Sequence, residues 1–176
     1  MSAAPVTIRQ ISAADAEPLR AIYFDYVELT PITYDIEPRC RAEWRRWMEK
    51  LKPTGRPQWC VATEAGSVIG WAACDALRAR AAYDTSVETT VYLARGHEGR
   101  GIGDALYRRL FDALEREDLH RAFAAITAPN PASVRLHEKH GFRPVGRYPE
   151  VGRKFGIYHD VDLFWRPVPL DSAKSL

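Results

Sequence analysis

Three glycines at alternate positions, Gly99, Gly101 and Gly103, separate a run of β-branched residues from an amphipathic helical pattern. Glycine leaves the neighbouring backbone N–H groups uncovered, and the first turn of a helix adds N–H groups without partners and the positive end of the helix dipole. Such groups bind phosphate. The alternative is an ordinary turn between strand and helix. Such a turn does not explain why three glycines are present, because each glycine costs conformational entropy on folding. The spacing therefore predicts a phosphate-binding loop.

The same spacing argues against two well-known phosphate loops. A dinucleotide fingerprint requires Gly-x-Gly-x-x-Gly, and Leu106 or Asp104 occupies the third glycine position in the two registers that fit. A nucleotide P-loop requires a Gly-Lys pair, which the sequence lacks. Neither kind of nucleotide site is therefore predicted.

The strand that precedes the glycines carries groups suited to proton transfer. Alternation along a strand gives an aliphatic face toward the core, comprising Val87, Thr89, Val91 and Leu93. The opposite face gathers a carboxylate, a hydroxyl and a phenol, from Glu88, Thr90 and Tyr92. Glu88 is therefore either a general base beside the phosphate ligand or a solvated strand carboxylate. A β-bulge in the strand would disturb this assignment of faces.

A histidine on a later helix is a second candidate for proton transfer. Asn130 and Pro131 predict the start of that helix, and Gly141 predicts its end. His137 lies on the helix and titrates near neutral pH, although a packed or surface histidine is an equal alternative. His137 and His140 have the spacing of metal ligands, but no third ligand follows at a suitable distance, so no metal site is predicted.

Composition and charge narrow the class of protein. The chain has 176 residues, 46% of them hydrophobic, and this length and composition suit one globular domain. Its net charge of +2 is small, and the sequence lacks the basic stripe of a nucleic-acid binder. Neither a secretory leader nor an apolar run of roughly 18 residues is found, so a cytoplasmic protein that does not enter membranes is expected. The three cysteines, Cys40, Cys60 and Cys74, form no Cys-x-x-Cys pair, which argues against a disulfide framework and a zinc site. None has a neighbouring histidine in the sequence, which argues against a covalent cysteine mechanism.

Hydrophobic periodicity and turn residues predict the elements that position these groups. Strands are predicted at residues 6–11, 59–63, 67–74, 86–93, 121–127, 142–147 and 156–165. Helices are predicted from Ser12, where Asp15 completes a near-match to a capping box, to Thr30, and over residues 41–51, 101–117 and 130–141. Breaks are predicted at Pro53, Gly55 and Pro57, and a hairpin turn is predicted at Ala65-Gly66. A single domain over residues 1–167 and a flexible tail over residues 168–176 complete the prediction.

The segment Glu98-Gly99-Arg100-Gly101-Ile102-Gly103 resembles the [Gln/Arg]-x-x-Gly-x-[Gly/Ala] signature of the GNAT acyl-CoA N-acyltransferases. The resemblance covers about residues 6–167, and within the family the chain is most similar to the phosphinothricin and methionine sulfoximine acetyltransferases. The other similar segments are Ala82-Tyr83-Asp84, Val87-Glu88-Thr89-Thr90-Val91-Tyr92, Pro129-Asn130-Pro131-Ala132-Ser133-Val134-Arg135-Leu136-His137, Val151-Gly152-Arg153-Lys154-Phe155-Gly156 and His159-Asp160-Val161. The signature alone is moderately specific, whereas the ordered set of segments is highly specific.

The resemblance implies an α/β fold in which a mixed, largely antiparallel, twisted sheet is flanked by helices. It also implies acetyl-CoA as cosubstrate, with the pantetheine arm along the strand and the pyrophosphate in the loop. The implied cofactor-binding residues are Val91, Tyr92, Leu93, Gly99, Arg100, Gly101, Ile102, Gly103, Asp104, Asn130 and Ser133. Glu98 departs from the family, which has Gln or Arg there, and its carboxylate would repel a pyrophosphate. Weakened binding is expected, with partial compensation by Arg95, His97 and Arg100.

The resemblance further assigns roles to individual side chains. It implies that Glu88 is the general base, acting directly or through water, and that His137 lies near the sulfur of CoA. The implied substrate-binding residues are Arg78, Arg80, Tyr83, Lys154 and Phe155, the last two lining the pocket either within one chain or across a dimer. Arginine suits a carboxylate or phosphinate, although each arginine is equally explained as a solvated loop charge. Leu77 and Thr85 replace tryptophans of family members, so a wider or less aromatic pocket is expected.

The implied activity is transfer of acetyl from acetyl-CoA to the α-amine of a small amino acid or analogue, by direct attack in a ternary complex. Because the family is often dimeric and includes enzymes that inactivate herbicides and antibiotics, the resemblance implies a homodimer and a role in resistance. Two alternatives stay open: an acetyltransferase that acts on proteins or peptides, and a non-catalytic acyl-CoA-binding module. No nucleic-acid or membrane partner is expected.

Overall fold

The computed structural model describes residues 5–51, 58–63 and 66–169, and its elements follow the predicted order. The strands of this part are β1 (Val6–Gln10), β2 (Gln58–Thr63), β3 (Val68–Ala76), β4 (Ser86–Leu93), β5 (Arg121–Thr127), β6 (Arg143–Lys154) and β7 (Ile157–Pro167). The helices are α1 (Ala16–Leu29), α2 (Arg41–Leu51), α3 (Ile102–Leu114) and α4 (Pro131–Lys139). Short 3₁₀ turns precede α1 and β4, at Ala13–Asp15 and Ala81–Tyr83.

These strands form one sheet in the order β1-β2-β3-β4-β5-β7-β6. Neighbouring strands are antiparallel except for β4 and β5, which are parallel. β4 and β5 pair only where Ser86–Glu88 face Arg121–Phe123, and the two strands diverge beyond this point. A wedge therefore opens in the middle of the sheet. The predicted mixed, largely antiparallel sheet flanked by helices is confirmed.

Two apolar cores cover opposite faces of the sheet. One core is built on α3, whose buried side chains are Ile102, Leu106, Tyr107, Leu110, Phe111 and Leu114, and it includes Val87, Phe142 and Phe164. The other core contains Leu19, Ile22, Trp44, Met48 and Trp71, from α1, α2 and β3. Each helix thus turns an apolar stripe toward the sheet, as its helical periodicity predicts. No helix in the described ranges is both long and apolar enough to span a membrane.

β4 lies at the centre of the sheet and separates the two cores. Thr89 is buried on the α3 side, where Val91 and Leu93 also pack, whereas Tyr92 packs against the α1–α2 core. The register between β3 and β4 runs unbroken from Val87 to Leu93, so this pairing contains no bulge. The predicted division of β4 into two faces is therefore confirmed.

The predicted capping box marks the start of the first helical segment. The Asp15 carboxylate accepts a hydrogen bond from the backbone N–H of Ser12 at 2.7 Å and forms an ion pair with Arg9 at 2.6 Å. The hydrogen bond from Arg9 lowers the pKa of Asp15 to about 2. These contacts hold the start of α1 against β1, so the rest of the helix is fixed over the sheet.

Most predicted boundaries lie within two residues of the observed ones, and the clearest departures are at α3, at β6 and at the start of the tail. α3 ends at Leu114 and continues into a short turn rather than to residue 117. β6 continues to Lys154 instead of stopping at residue 147, because an edge strand accommodates Pro149 and Gly152 through a shift of register. Val168, predicted to begin the tail, is buried and donates its N–H to the His120 carbonyl at 3.1 Å.

The remaining predictions of this kind lie outside the described residues. They are the breaks at Pro53, Gly55 and Pro57, the first residue of the Ala65-Gly66 turn, and the tail beyond residue 169.

Candidate active site

Two glycines of the predicted phosphate loop adopt a conformation that other residues rarely tolerate. Gly99 has a φ of +71° and Gly101 a φ of +78°, and open space surrounds the position of a Cβ at both. Gly101 is the N-cap of α3, and its carbonyl accepts the N–H of Ala105 at 3.1 Å. The N–H groups of residues 102–104 therefore have no partner within the helix and are available to an anion.

This loop forms one wall of a cavity of about 560 Å³, the loop cavity, whose other walls are α1, the end of β4 and α4. The predicted cofactor-binding residues that line it are Val91, Leu93, Gly99, Gly101, Ile102, Gly103, Asp104, Asn130 and Ser133. Tyr92 lies on the other face of β4, and Arg100 is exposed outside the cavity. The volume suits a small molecule or cofactor, for which pockets of roughly 300–1,000 Å³ are usual.

Glu98, the departure from the family signature, is engaged in the loop itself. Its carboxylate accepts the backbone N–H of Gly96 at 2.8 Å, across the turn that leaves β4. Glu98 also lines the loop cavity. The residue thus stabilises the turn while placing a negative charge at the cavity wall.

Positive charge in the loop cavity comes from Arg95 and Arg135, which both line it. Of the three residues expected to compensate for Glu98, His97 and Arg100 do not line the cavity. Arg135 was missed from sequence, although it follows the lining residue Ala132 by one helical turn.

The carboxylate of Asp104, in the first turn of α3, is held by two cations and a histidine. Lys139 of α4 and His140, which follows α4, lie 3.0 Å from its oxygens, and Arg108 lies 3.2 Å away. These contacts tie α3 to α4 and offset a negative charge beside the free N–H groups. The backbone of Asp104 is therefore better suited to an anion than its side chain.

The end of β4 turns main-chain groups toward the wedge. The Tyr26 hydroxyl donates to the carbonyl of Leu93 at 2.9 Å, and the N–H of Leu93 lies 3.4 Å from the same hydroxyl. Main-chain groups of a strand point to the same side at every second residue, so those of Val91 also point away from β3. Because β5 has diverged there, the Val91 amide is available to an extended ligand.

His137 is buried at the wedge and has a defined tautomer. Its Nδ1 lies 2.8 Å from the Ser133 carbonyl, which can only accept, so Nδ1 carries the proton. Its Nε2 therefore accepts the hydroxyl of Tyr107, at 2.9 Å. Burial lowers the pKa of His137 to about 4, partly opposed by the Ser133 carbonyl, so the imidazole is neutral near pH 7.

Tyr107 was not predicted as a site residue. It is fully buried in α3, and burial raises its pKa. Its hydroxyl also lies 3.4 Å from the Thr89 hydroxyl of β4. The one signal in the sequence is a tyrosine among the apolar positions of α3, because a buried hydroxyl requires a partner.

A small cavity of about 60 Å³, the wedge cavity, occupies the opening between β4 and β5. Tyr107 and His137 line it. It shares Val91, Asn130 and Ser133 with the loop cavity, and it shares Thr90 and Tyr92 with a third cavity on the opposite face of the sheet. The wedge therefore lies between the two faces.

Glu88 lines this third cavity, the Glu88 cavity, of about 240 Å³. Its walls are largely aromatic and include Tyr23, Trp44, Trp47, Trp71 and Tyr92. Burial raises the pKa of Glu88, the positive charge of Arg78 opposes the shift, and the negative charge of Asp75 adds to it. Leu77 and Thr85 predict a less aromatic pocket, and the structure instead has an aromatic one. The reason is that the rings come from α1, α2, β3 and β4, and not from the loop before β4 that carries Leu77 and Thr85.

The predicted substrate-binding residues do not converge within one chain. Arg78, Arg80 and Tyr83 are exposed on the loop before β4 and do not line the Glu88 cavity. Lys154 is buried and donates to the Thr33 carbonyl at 2.8 Å, and Phe155 is exposed at the tip of the β6–β7 hairpin. In the part of the chain that the structure describes, no group of three or more His, Cys, Asp or Glu residues has the geometry of a metal site.

Comparison with known proteins agrees with this geometry. Residues 19–142 match the model of the acetyltransferase (GNAT) family. The phosphinothricin N-acetyltransferase of Streptomyces coelicolor is 52% identical over 167 residues, which cover 94% of this chain and 98% of that protein. The L-methionine sulfoximine/L-methionine sulfone acetyltransferase of Pseudomonas aeruginosa is 32% identical over 169 residues, covering 96% of this chain and 97% of that protein.

The fold is also that of solved structures. The phosphinothricin acetyltransferase of Sinorhizobium meliloti, whose crystal structure was solved in complex with acetyl-CoA, superposes with a TM-score of 0.90 at 31% identity. The superposition covers 97% of this chain and 93% of that one.

Proposed function

Because the chain belongs to the acetyltransferase (GNAT) family, we propose that it transfers acetyl from acetyl-CoA to the α-amine of a small amino acid or analogue. The observation that carries this proposal is the wedge in the sheet. It lies between a cavity with an anion-binding loop and a cavity with a half-buried carboxylate of raised pKa. Cofactor and amine can therefore approach one another from opposite faces.

In this proposal acetyl-CoA occupies the loop cavity. The pyrophosphate binds the N–H groups of residues 102–104, with Arg95 and Arg135 beside it. The pantetheine arm follows the end of β4 and uses the main-chain groups of Val91. The acetyl thioester then reaches the wedge.

The proposed reaction is direct attack of the amine on the thioester. Glu88 accepts a proton from the substrate ammonium, directly or through water, and the freed nitrogen forms a C–N bond with the acetyl carbon. The C–S bond breaks as the tetrahedral intermediate collapses, and CoA leaves as a thiolate that takes up a proton. We assign His137 to the thiolate side, where its neutral Nε2 holds the Tyr107 hydroxyl at the wall of the wedge cavity.

The size and lining of the Glu88 cavity support a small amine over a protein chain. Its volume of about 240 Å³ lies just below the usual range of roughly 300–1,000 Å³ for binding pockets, and two of its aromatic walls, Trp44 and Trp71, are buried. We place Arg78, Arg80 and Tyr83 at its entrance, because Asp75 and Ala76 line the cavity directly before their loop. Relatives named for phosphinothricin and methionine sulfoximine make such amino acid analogues the first substrates to test.

We further propose a homodimer in the cytoplasm with a role in resistance. The β6–β7 hairpin exposes an apolar surface that a second copy of the chain would cover, comprising Val145, Tyr148, Val151, Phe155, Ile157 and Tyr158. Phe155 would then reach the partner. The exposed Cys40 thiol, which is not in a disulfide, suits a reducing compartment. Acetylation removes the positive charge of the amine, which would inactivate a toxic amino acid analogue.

The proposal is tested by measuring release of the CoA thiol with acetyl-CoA and a panel of amines. Phosphinothricin, L-methionine sulfoximine and L-methionine sulfone are compared with a polyamine and with a peptide that has a free N-terminus. Turnover of at least one amino acid analogue is expected, with little for the peptide. Acetyl-CoA binding without turnover of any amine would instead identify a non-catalytic binding module. Preferred turnover of the peptide would identify a protein acetyltransferase.

A further inference from the structure

Arg39 brings a positive charge to the cavity that contains Glu88. It belongs to the connection between α1 and α2, and among the described residues it is the one cationic side chain that lines the Glu88 cavity. We propose that Arg39 binds the carboxylate of the amine substrate and so selects amino acids over simple amines. This inference rests on the proposed function and adds a residue that determines specificity.

Neighbouring residues hold the Arg39 guanidinium by one edge. Its Nε lies 3.2 Å from the Asp35 carboxylate, which accepts the Tyr23 hydroxyl at 3.0 Å. The Tyr23 ring lies on one side of the guanidinium, 6.0 Å from ring centroid to carbon. The side chain of Arg39 is 38% exposed, so it is neither a free surface charge nor enclosed. Its orientation is therefore set before a ligand arrives.

The other edge of the guanidinium has the geometry that a carboxylate requires. Two terminal nitrogens in one plane form parallel hydrogen bonds to two carboxylate oxygens. Asp35 is the one carboxylate within ion-pair distance of Arg39 among the described residues, and it takes the Nε side. The terminal nitrogens can therefore accept a second carboxylate without breaking the first contact.

Other cations near the cavity are less suited to this role. The Lys154 ammonium is buried and bonded to the Thr33 carbonyl, and Arg41 pairs with Glu17 at 3.2 Å outside the cavity. Arg78 and Arg80 lie on the exposed loop and do not line the cavity.

The chemistry of an α-amino acid matches the two charged groups of this cavity. Its ammonium loses a proton to Glu88, while its carboxylate requires a cation within the same small volume. The side chain then faces the aromatic walls formed by Trp44, Trp47 and Trp71.

The test compares substrates with and without a carboxylate in the wild type and in Arg39→Gln. The substrates are the best amino acid analogue from the panel and its carboxamide, each measured with saturating acetyl-CoA. In Arg39→Gln the KM for the acid is expected to rise about 10- to 100-fold, the size expected for loss of hydrogen bonds between charged groups. The KM for the carboxamide and the KM for acetyl-CoA are expected to stay unchanged.

Three further variants separate recognition from folding and from the neighbouring loop. Arg39→Lys keeps the charge and loses the planar fork, so an intermediate KM for the acid is expected. Arg41→Gln removes an exposed arginine of α2 and is expected to behave as wild type. Arg80→Gln tests the loop before β4, and a larger selective effect there than in Arg39→Gln would overturn the inference.

A binding measurement tests the proposal if the Arg39→Gln variant folds poorly. Arg39→Lys and the wild type are then titrated with acid and carboxamide without acetyl-CoA, using the fluorescence of the cavity tryptophans. Equal losses for acid and carboxamide, or no loss for either, would show that Arg39 only stabilises the loop. Wild type that acetylates no amine would refute the proposed function, whereas wild-type turnover without acid-selective loss would refute this inference alone.

Discussion

Burial shifts the pKa values of the two titratable residues proposed for catalysis, Glu88 and His137, in opposite directions. It raises the pKa of the Glu88 carboxyl, which makes this residue a better proton acceptor than an ordinary surface carboxylate. It lowers the pKa of His137 to about 4, so the imidazole stays neutral and can accept the Tyr107 hydroxyl. The environments of the two residues thus favour a base on the amine side and a neutral hydrogen-bonding group on the thioester side.

Replacing Glu88 with glutamine keeps the shape of the side chain and removes the base. We expect kcat to fall by ~10²–10⁴-fold, with little change in the KM for acetyl-CoA. In the wild type, kcat falls as the pH drops through the raised pKa of Glu88, because the protonated carboxyl cannot accept a proton. Rate profiles over about pH 5–9 are expected to lack this acid limb in the variant.

Asp75→Asn provides the matched control for this profile. Its negative charge contributes to the raised pKa of Glu88, so its removal is expected to move the acid limb to lower pH while activity is retained. An unchanged profile in Glu88→Gln would contradict the assignment of the base.

Individual residues of the site could be predicted where strand geometry alone decides their position. Glu88 is on the predicted face because the register of β4 with β3 is regular. Tyr107 and Arg39 could not be predicted, because only the folded chain brings each of them close to site residues from other elements. The burial of Lys154 within its own chain could not be predicted either, because its hydrogen-bond partner, Thr33, lies in the distant connection between α1 and α2.

At the scale of elements, the strand, loop and helix around the glycines were predicted closely. β4 has the predicted bounds, and α3 begins within one residue of the predicted start. The signals there are local: β-branched residues, glycines at positive φ and a helical apolar stripe. β6 was predicted too short because its glycines and prolines indicate a break, and only its place at the edge of the sheet explains why the strand continues.

Gly101→Ala tests whether the loop conformation matters for the cofactor. Alanine at a φ of +78° is strained, so the free energy of unfolding is expected to fall by roughly 1–2 kcal/mol. Relaxation of the loop would also turn N–H groups away from the anion. We expect the Kd for acetyl-CoA, measured by calorimetry, to rise about 5- to 30-fold, which corresponds to the same energy.

Gly66→Ala is the control for strain. Gly66 has a φ of +76° and equally open surroundings, but it precedes β3, away from the loop cavity. It is expected to lose similar stability and to bind acetyl-CoA as the wild type does. Equal weakening of acetyl-CoA binding in both variants would show that general destabilisation, not the loop, is responsible.

On the scale of the whole molecule, the β6–β7 hairpin connects the proposed dimer surface to the substrate side. Besides the bond from Lys154 to Thr33, the Tyr34 hydroxyl donates to the His159 carbonyl at 3.3 Å. A Cβ atom on Gly152 would lie 2.6 Å from Cζ of the Tyr34 ring, which is too close for a real contact, so only glycine fits there. The hairpin therefore holds the α1–α2 connection, which carries Arg39 over the Glu88 cavity.

Ile157→Glu tests the dimer and this connection together. Ile157 is 62% exposed on the hairpin, and a charge there would be buried against a second copy of the chain, so we expect a monomer by size-exclusion chromatography with light scattering. Phe24→Glu alters an exposed apolar residue of α1 outside the hairpin and should remain dimeric. Loss of the partner is expected to raise the KM for the amine by about 2- to 30-fold, matching a coupling of about 0.5–2 kcal/mol. Because the loop cavity lies apart from the hairpin, the KM for acetyl-CoA should not change, and a monomeric wild type would contradict the proposed interface.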